Sequence, residues 1–380
     1  MKKKRIAFII NHLSFFCSHI LPLAKDLKKK GHKIQIYCGY GGSQEMEQEA
    51  KKIIKLNKLN FFNVGFKPSS KNIFLELFFF LKIIKNLKKF KPDVIHGISF
   101  KGIIYGCLFF IFFRSERLIN FVTGLGYFFT RKLNLYEKVI KKIVILIIKF
   151  TLKQKNSILV IENDTDKNYF INKVKIDKRK IYQLDGAGVN LKKFYLNKKL
   201  KKNIVLFPAR VLLEKGINEF ISSSKYLSKK YPDWKFLIAG TLKYEKDDKN
   251  KIFTDYRKIE KKFPNIKFLG YVKKMDKLFN KSSIACLPSY REGFPKSIIE
   301  ASASGCSIVC SNVPGCRDVI KKNHSGLLCK PKNILDLSLK IEKLILNKSL
   351  RMKLGKNARL NAEKRYDINL FIKKNLNFYF

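Results

Sequence analysis

At 380 residues the chain exceeds a usual single domain, and 46% hydrophobic residues supply more core than a disordered protein carries. Its 80 Lys and Arg against 29 Asp and Glu leave a formal charge of +51, which points to polyanionic partners: nucleic acid, an anionic membrane surface or a phosphorylated substrate. Lysines run along the whole length, so solvated helix faces account for part of that charge.

Short β-rich apolar runs alternate with longer amphipathic stretches, the pattern of βαβ units around a parallel sheet. Strands are expected at 5–10, 33–37, 61–66, 93–98, 118–122, 158–162 and 181–184, with helical patterns among them at 21–29, 73–89 and 135–153. A lysine-rich stretch over 191–202 precedes a second series at 204–208, 234–239, 266–269, 284–287, 308–311 and 327–329. The chain therefore reads as α/β. One Rossmann-like domain covers 1–190, a second covers 191–365, and a terminal helix over 366–380 packs back on the first. The start, MKKKRIAFIIN, has five apolar residues after its basic run, too few for a signal-peptide core. No apolar run reaches the ~18 residues of a spanning helix. The cysteines are scattered without a CxxC pair, which favours core packing in a reducing cytoplasm over disulfides or zinc.

Ligands of open α/β sheets bind beyond the strand carboxyl ends, and the polar motifs fall there. In LPSYREGFPKSIIEASASG, residues 287–305, Pro288 ends a strand, and Gly293 and Pro295 shape a loop. Pro295 suits the first turn of a helix, so Glu292 lies in the loop and Glu300 in the second helical turn. Free amides at such a helix start favour an anion. A carboxylate one turn further in can accept two ribose hydroxyls. In PARVLLEKG the strand delivers Arg210 at its end and Lys215 opens the next helix. Two fixed cations can stabilise a departing diphosphate without a metal.

These residues resemble the second-domain signature of the retaining GT-B glycosyltransferases of family 4, strongest over 204–328. The resemblance implies the GT-B fold, two Rossmann-like domains facing each other across a cleft. It implies a nucleotide-sugar donor, net retention, no cofactor and no required metal. Position by position, Arg210 and Lys215 would bind the diphosphate, Glu300 the ribose and Glu292 the donor sugar. Gly293, Phe294 and Pro295 would present main-chain amides, with Ser289 and Gly240 also on the donor side.

The first domain is expected to take the acceptor. Residues 11–19, NHLSFFCSH, stand where the family carries a glycine-rich loop, and this places His19 on the acceptor side. His96 and Lys101, in DVIHGISFKG, resemble an acceptor-side segment, and His96 reads equally as a core histidine. Thr123 and Gly124 open FVTGLGYFFT, similar to a branch that builds bacterial surface glycans on lipid carriers. Aromatic clusters at 78–80, 109–113 and 128–129 read either as core or as a basic amphipathic face for a membrane. The resemblance implies transfer of a galactose-type or N-acetylhexosamine unit from a UDP-sugar to a polyprenyl-diphosphate-linked saccharide. The place would be the cytoplasmic face of the cell membrane. The alternative is a lipopolysaccharide-core transferase with another sugar. A nucleic-acid-binding protein is suggested by charge alone; with no recognition motif, no nucleic-acid partner is expected.

Overall fold

The computed structural model describes residues 2–41, 43–66, 72–126, 133–197, 199, 201–241, 256–320 and 324–380. It divides into two compact units, Met1–Ala187 with Phe371–Phe380, and Gly188–Leu370. The first unit opens with β1 (Arg5–His12), α1 (Leu13–His19), α2 (Leu21–Lys29), β2 (Lys33–Gly39), α3 (Gln44–Leu56) and β3 (Asn60–Asn63). It continues through α4 (Ile73–Phe90), β4 (Val94–Ile98), α5 (Ser99–Phe113) and β5 (Arg117–Val122). It closes with α6 (Leu135–Lys153), β6 (Ser157–Ile161), α7 (Asp164–Asn168) and β7 (Ile181–Gln183).

Its strands form one parallel sheet in the order β3-β2-β1-β4-β5-β6-β7. Helices cover both faces of such a sheet, so central strands carry apolar residues without alternation; Ile6 to Ile10 are all fully buried. The strand order reverses between β1 and β4, the kind of point beyond whose carboxyl edge ligands of open α/β sheets bind. α6 starts on a capping box in which Asn134 and Glu137 satisfy each other's backbone amides. The final residues complete this unit: Lys4 donates to the Tyr379 carbonyl at 3.2 Å and Arg117 to the Phe378 carbonyl at 3.1 Å.

Two local expectations are corrected. β3 ends at Asn63 rather than running to Phe66, because Gly65 at φ 98° turns the chain out of the strand. Residues 11–19 are not a loop: β1 runs to His12, whose ring nitrogen caps α1 by accepting from the Phe15 amide at 3.2 Å.

The second unit contains β8 (Lys202–Phe207), α8 (Ile217–Lys230), β9 (Lys235–Ala239), α9 (Tyr256–Lys262), β10 (Ile266–Gly270) and α10 (Met275–Lys281). Then come β11 (Ser282–Leu287), α11 (Lys296–Ala303), β12 (Ser307–Ser311), α12 (Cys316–Val319) and β13 (Leu327–Cys329). Three helices finish the chain: α13 (Ile334–Leu346), α14 (Lys348–Arg365) and α15 (Ile368–Leu376). The parallel order β10-β9-β8-β11-β12-β13 reverses between β8 and β11. The cysteines are free thiols, all but Cys17 buried as small core residues. Among the described residues no helix is long and apolar enough to cross a membrane.

Candidate functional site

The best-defined polar cluster lies where the strand order of the second unit reverses. After β8 the chain passes Arg210, then a single tight turn over Leu213–Lys215, and enters α8 through Gly216. After β11 it runs through Pro288 to Pro295 before α11. Gly216 has φ 75°, and a Cβ there would sit 2.1 Å from the Pro288 carbonyl oxygen. Only glycine allows both that conformation and that approach. The Tyr290 amide donates to the Glu214 carbonyl at 2.9 Å, so the two segments are joined by backbone as well.

This juxtaposition brings two side chains onto one carboxylate. Lys215 Nζ donates to Glu292 Oε1 at 2.6 Å, and Ser289 Oγ donates to the same oxygen at 2.7 Å. Both charged side chains are mostly buried, 19% and 11% exposed, so solvent screens the pair less than a surface bridge. Arg210 stands exposed at the end of β8. Gly240, after β9, packs so closely that a Cβ would lie 1.8 Å from the Ala209 carbonyl oxygen.

α11 begins at Lys296, with Pro295 at its N-cap and no side-chain cap. In its first turn the Ile298 amide donates to the Pro295 carbonyl at 3.0 Å. Pro295 itself has no N–H, which corrects the expectation that it presents an amide; Gly293, Phe294 and Lys296 carry the donors of this turn. The Phe294 ring belongs to the core, 6% exposed and packed edge-on to Tyr366 at 5.7 Å. Glu300 is one turn further in. Burial pushes its carboxyl up, opposed by Lys296 and Lys193, and burial holds the Lys296 ammonium down.

Two participants escaped the sequence reading. Lys296 precedes Glu300 by four residues on α11, a spacing that could have revealed it. Tyr290 donates to Glu219 Oε1 at 2.8 Å, bracing the Glu292 loop against α8; Glu219 is 7% exposed and nothing in its spacing signals the contact.

In the first unit the expected acceptor-side residues separate. Thr123 and Gly124 do lie at the carboxyl edge, just after β5, and Thr123 Oγ1 is 3.1 Å from Ser99 Oγ at the start of α5. Leu125 donates its amide to Asp166 at 2.9 Å, which fixes the turn; burial, with Asp166 adding to it, raises neighbouring Glu162 well above the carboxylate range. His96 is a correction: it is fully buried between the Phe8 and Phe121 rings, with Nδ1 2.5 Å from the Tyr379 hydroxyl. Burial lowers its pKa to about 3, so it is a neutral core residue and not a surface contact. Lys101, in the first turn of α5, has its ammonium 2.6 Å from Glu76 Oε1 on α4. His19 ends α1, stacked on Phe15 at 3.9 Å; the histidine at the strand end is His12, which bonds Ser14 at 2.8 Å.

Comparison with known proteins covers both units. Residues 5–162 match the family model described as glycosyl transferase 4-like, and 189–361 match glycosyl transferases group 1. The chain is 30% identical to the N,N'-diacetylbacillosaminyl-diphospho-undecaprenol alpha-1,3-N-acetylgalactosaminyltransferase of Campylobacter jejuni, over 99% of this chain and 98% of that one. It is 26% identical to the UDP-Gal:alpha-D-GlcNAc-diphosphoundecaprenol alpha-1,3-galactosyltransferase of Escherichia coli, over 67% and 66% of the two chains. A crystal structure of a glycosyltransferase from Rickettsia africae superposes with a TM-score of 0.74 at 22% identity, covering 100% and 98% of the two chains.

Proposed function

The chain belongs to the family 4, group 1 glycosyltransferases of GT-B fold, and from that premise we propose that it moves a sugar with retention from a UDP-sugar to an undecaprenyl-diphosphate-linked saccharide. An N-acetylhexosamine or galactose-type donor is favoured, and the reaction belongs at the cytoplasmic face of the cell membrane. The printed activities of the C. jejuni and E. coli relatives support this choice of donor and acceptor.

The observation that carries the reading is the Lys215–Glu292–Ser289 cluster at the β8/β11 reversal. Cleavage of the bond between the anomeric carbon and the β-phosphate oxygen leaves negative charge on UDP. Arg210 at the strand end, Lys215 and the first amides of α11 are the groups to receive it. Glu300 accepts from the ribose hydroxyls. The acceptor hydroxyl attacks on the face the leaving group departs from, its proton passes to the departing phosphate oxygen, and the new glycosidic bond keeps the donor configuration. Glu292 holds Lys215 in place before the donor arrives and orients the sugar afterwards. The charge of the leaving group is thereby met by side chains and amides, with no metal and no nucleic-acid partner in the scheme.

The test is a panel of UDP-sugars with undecaprenyl-diphosphate-linked acceptors, following UDP release and the product's anomeric configuration by NMR. Release of UDP with an α-linked product from an α-linked donor is the expected result. Inversion would remove the retaining mechanism, and failure to bind any nucleotide sugar would remove the reading as a whole.

A further inference from the structure

We propose that the outward face of the α4–α5–α6 layer in the first unit docks on an anionic lipid bilayer. The three helices cover one face of the sheet, and their inward residues share a single core cluster: Phe80, Ile83 and Leu87 from α4, Ile103 from α5, Val144 and Ile148 from α6. That interior need is already met. Yet α6 carries a second apolar stripe, Leu135, Val139, Ile143, Leu146 and Phe150, exposed by 78, 48, 48, 63 and 52%. At 100° per residue this stripe lies on the side of the helix opposite Val144 and Ile148. α4 does the same at its start, where Phe74, Leu77, Phe78 and Leu81 are exposed by 85, 54, 59 and 57%.

Of the aromatic clusters that the sequence offered for a membrane face, Phe80, Phe109 and Phe110 are core residues, and 128–129 lie outside the described residues. The exposed members are Phe78, Phe112 and Phe113, and the α6 stripe lies outside those clusters.

Charge identifies the occupant. On α6, Lys138, Lys142, Lys149 and Lys153 recur on one flank of the apolar stripe. On α4 the outward line changes from phenylalanine and leucine to Lys85 and Lys88, the latter 4.4 Å over the Phe113 ring. A layer of apolar side chains edged by lysine ammoniums matches acyl chains bordered by anionic headgroups. A second copy of this chain would set lysine row against lysine row, and nucleic acid would leave the apolar stripes uncompensated. Both α4 and α6 start at the carboxyl edge of the sheet, because each returns the chain from the end of one parallel strand to the start of another. The apolar starts of both helices therefore border the edge that holds Thr123 and Gly124. Resting on the proposed function, this lets a lipid-linked acceptor reach that edge from the bilayer.

Vesicle flotation tests the surface, using phosphatidylcholine vesicles with and without phosphatidylglycerol. The full chain should float with anionic vesicles at low salt and at least tenfold less at high salt or with phosphatidylcholine alone. A double variant of α6, Leu135→Ser with Leu146→Ser, and another of its flank, Lys142→Glu with Lys149→Glu, should each lower binding by about tenfold. Leu135, Lys142 and Leu146 are exposed and Lys149 is half-buried at the helix surface, so melting should be little changed, and transfer to a detergent-solubilised acceptor should be kept. Equal binding of wild type and variants overturns the proposal, as does a stable dimer that these variants dissociate. If binding follows the prediction and no UDP-sugar is ever turned over, the functional reading fails and the docking surface stands.

Discussion

The two units build their carboxyl edges from the same sheet reversal and furnish them differently. In the second unit the edge is charged and braced: Lys215 and Ser289 converge on one oxygen of Glu292, and Tyr290 ties that loop to Glu219. In the first unit His96 turns into the core and Lys101 pairs with Glu76, while the edge carries His12, the Ser99 and Thr123 hydroxyls and a glycine turn held by Asp166. A diphosphate demands fixed cations, and fixing cations takes partners. A saccharide asks for hydroxyl-sized donors and acceptors on an open edge, which needs far less buried charge.

The largest expected effect tests the charged edge. Glu292→Gln keeps the shape and removes the charge that Lys215 and Ser289 share, so kcat/KM should fall on the order of a hundredfold or more. Circular dichroism should show a folded protein. A variant that turns over normally would reduce the cluster to scaffolding. Next comes the packing that brings the segments together. Gly240→Ala would push a Cβ to 1.8 Å from the Ala209 carbonyl, a backbone atom that cannot swing aside. A loss of about 3 kcal/mol is expected in denaturant titration, the upper end of overpacking costs. Unchanged stability would mean the β8 and β9 loops are free to part.

The first unit offers a contrasting pH dependence. His96 has a pKa of about 3 when folded against 6.5 as reference, so the unfolded chain binds the proton more readily. The stability this contributes is complete above pH 6.5 and is lost as pH falls towards 3, with a slope of up to about 1.4 kcal/mol per pH unit. Denaturant midpoints between pH 4 and 7 should show that slope, and His96→Leu should flatten it whatever the variant's stability at pH 7. An unchanged slope would place the acid sensitivity in other groups, such as the carboxylates.

How much of this could be read from the chain depends on how local the cause is. α6 shows its limits because Asn134 begins it and the apolar pattern runs to Lys153. The loop and helix around Glu292 and Glu300 are legible because proline and glycine punctuate them within one short string. His96 was not decidable. β4 is buried on both faces, so alternation says nothing, and its partner Tyr379 lies 283 residues away. The exposure of the α6 stripe was equally hidden, since a helix apolar on two sides does not declare which side meets the sheet. His12 replaced His19 at the edge for a local reason that sequence could have carried, a ring able to cap the helix that follows.

The smallest prediction separates the two donors on Glu292. Ser289→Ala removes the hydroxyl's hydrogen bond to the carboxylate at 2.7 Å and leaves the Lys215 pair at 2.6 Å intact. A bond from a neutral donor to a charged acceptor is worth about 1.5 kcal/mol, so kcat/KM should drop roughly tenfold. The two variants should also combine non-additively: with Glu292→Gln already present, the loss of Ser289 should cost little, because its acceptor has changed character. If the serine change is as damaging as the glutamate change, the hydroxyl itself contacts the substrate. If it is silent in both backgrounds, Lys215 alone positions the carboxylate, and the charged edge rests on one ion pair rather than on a braced cluster.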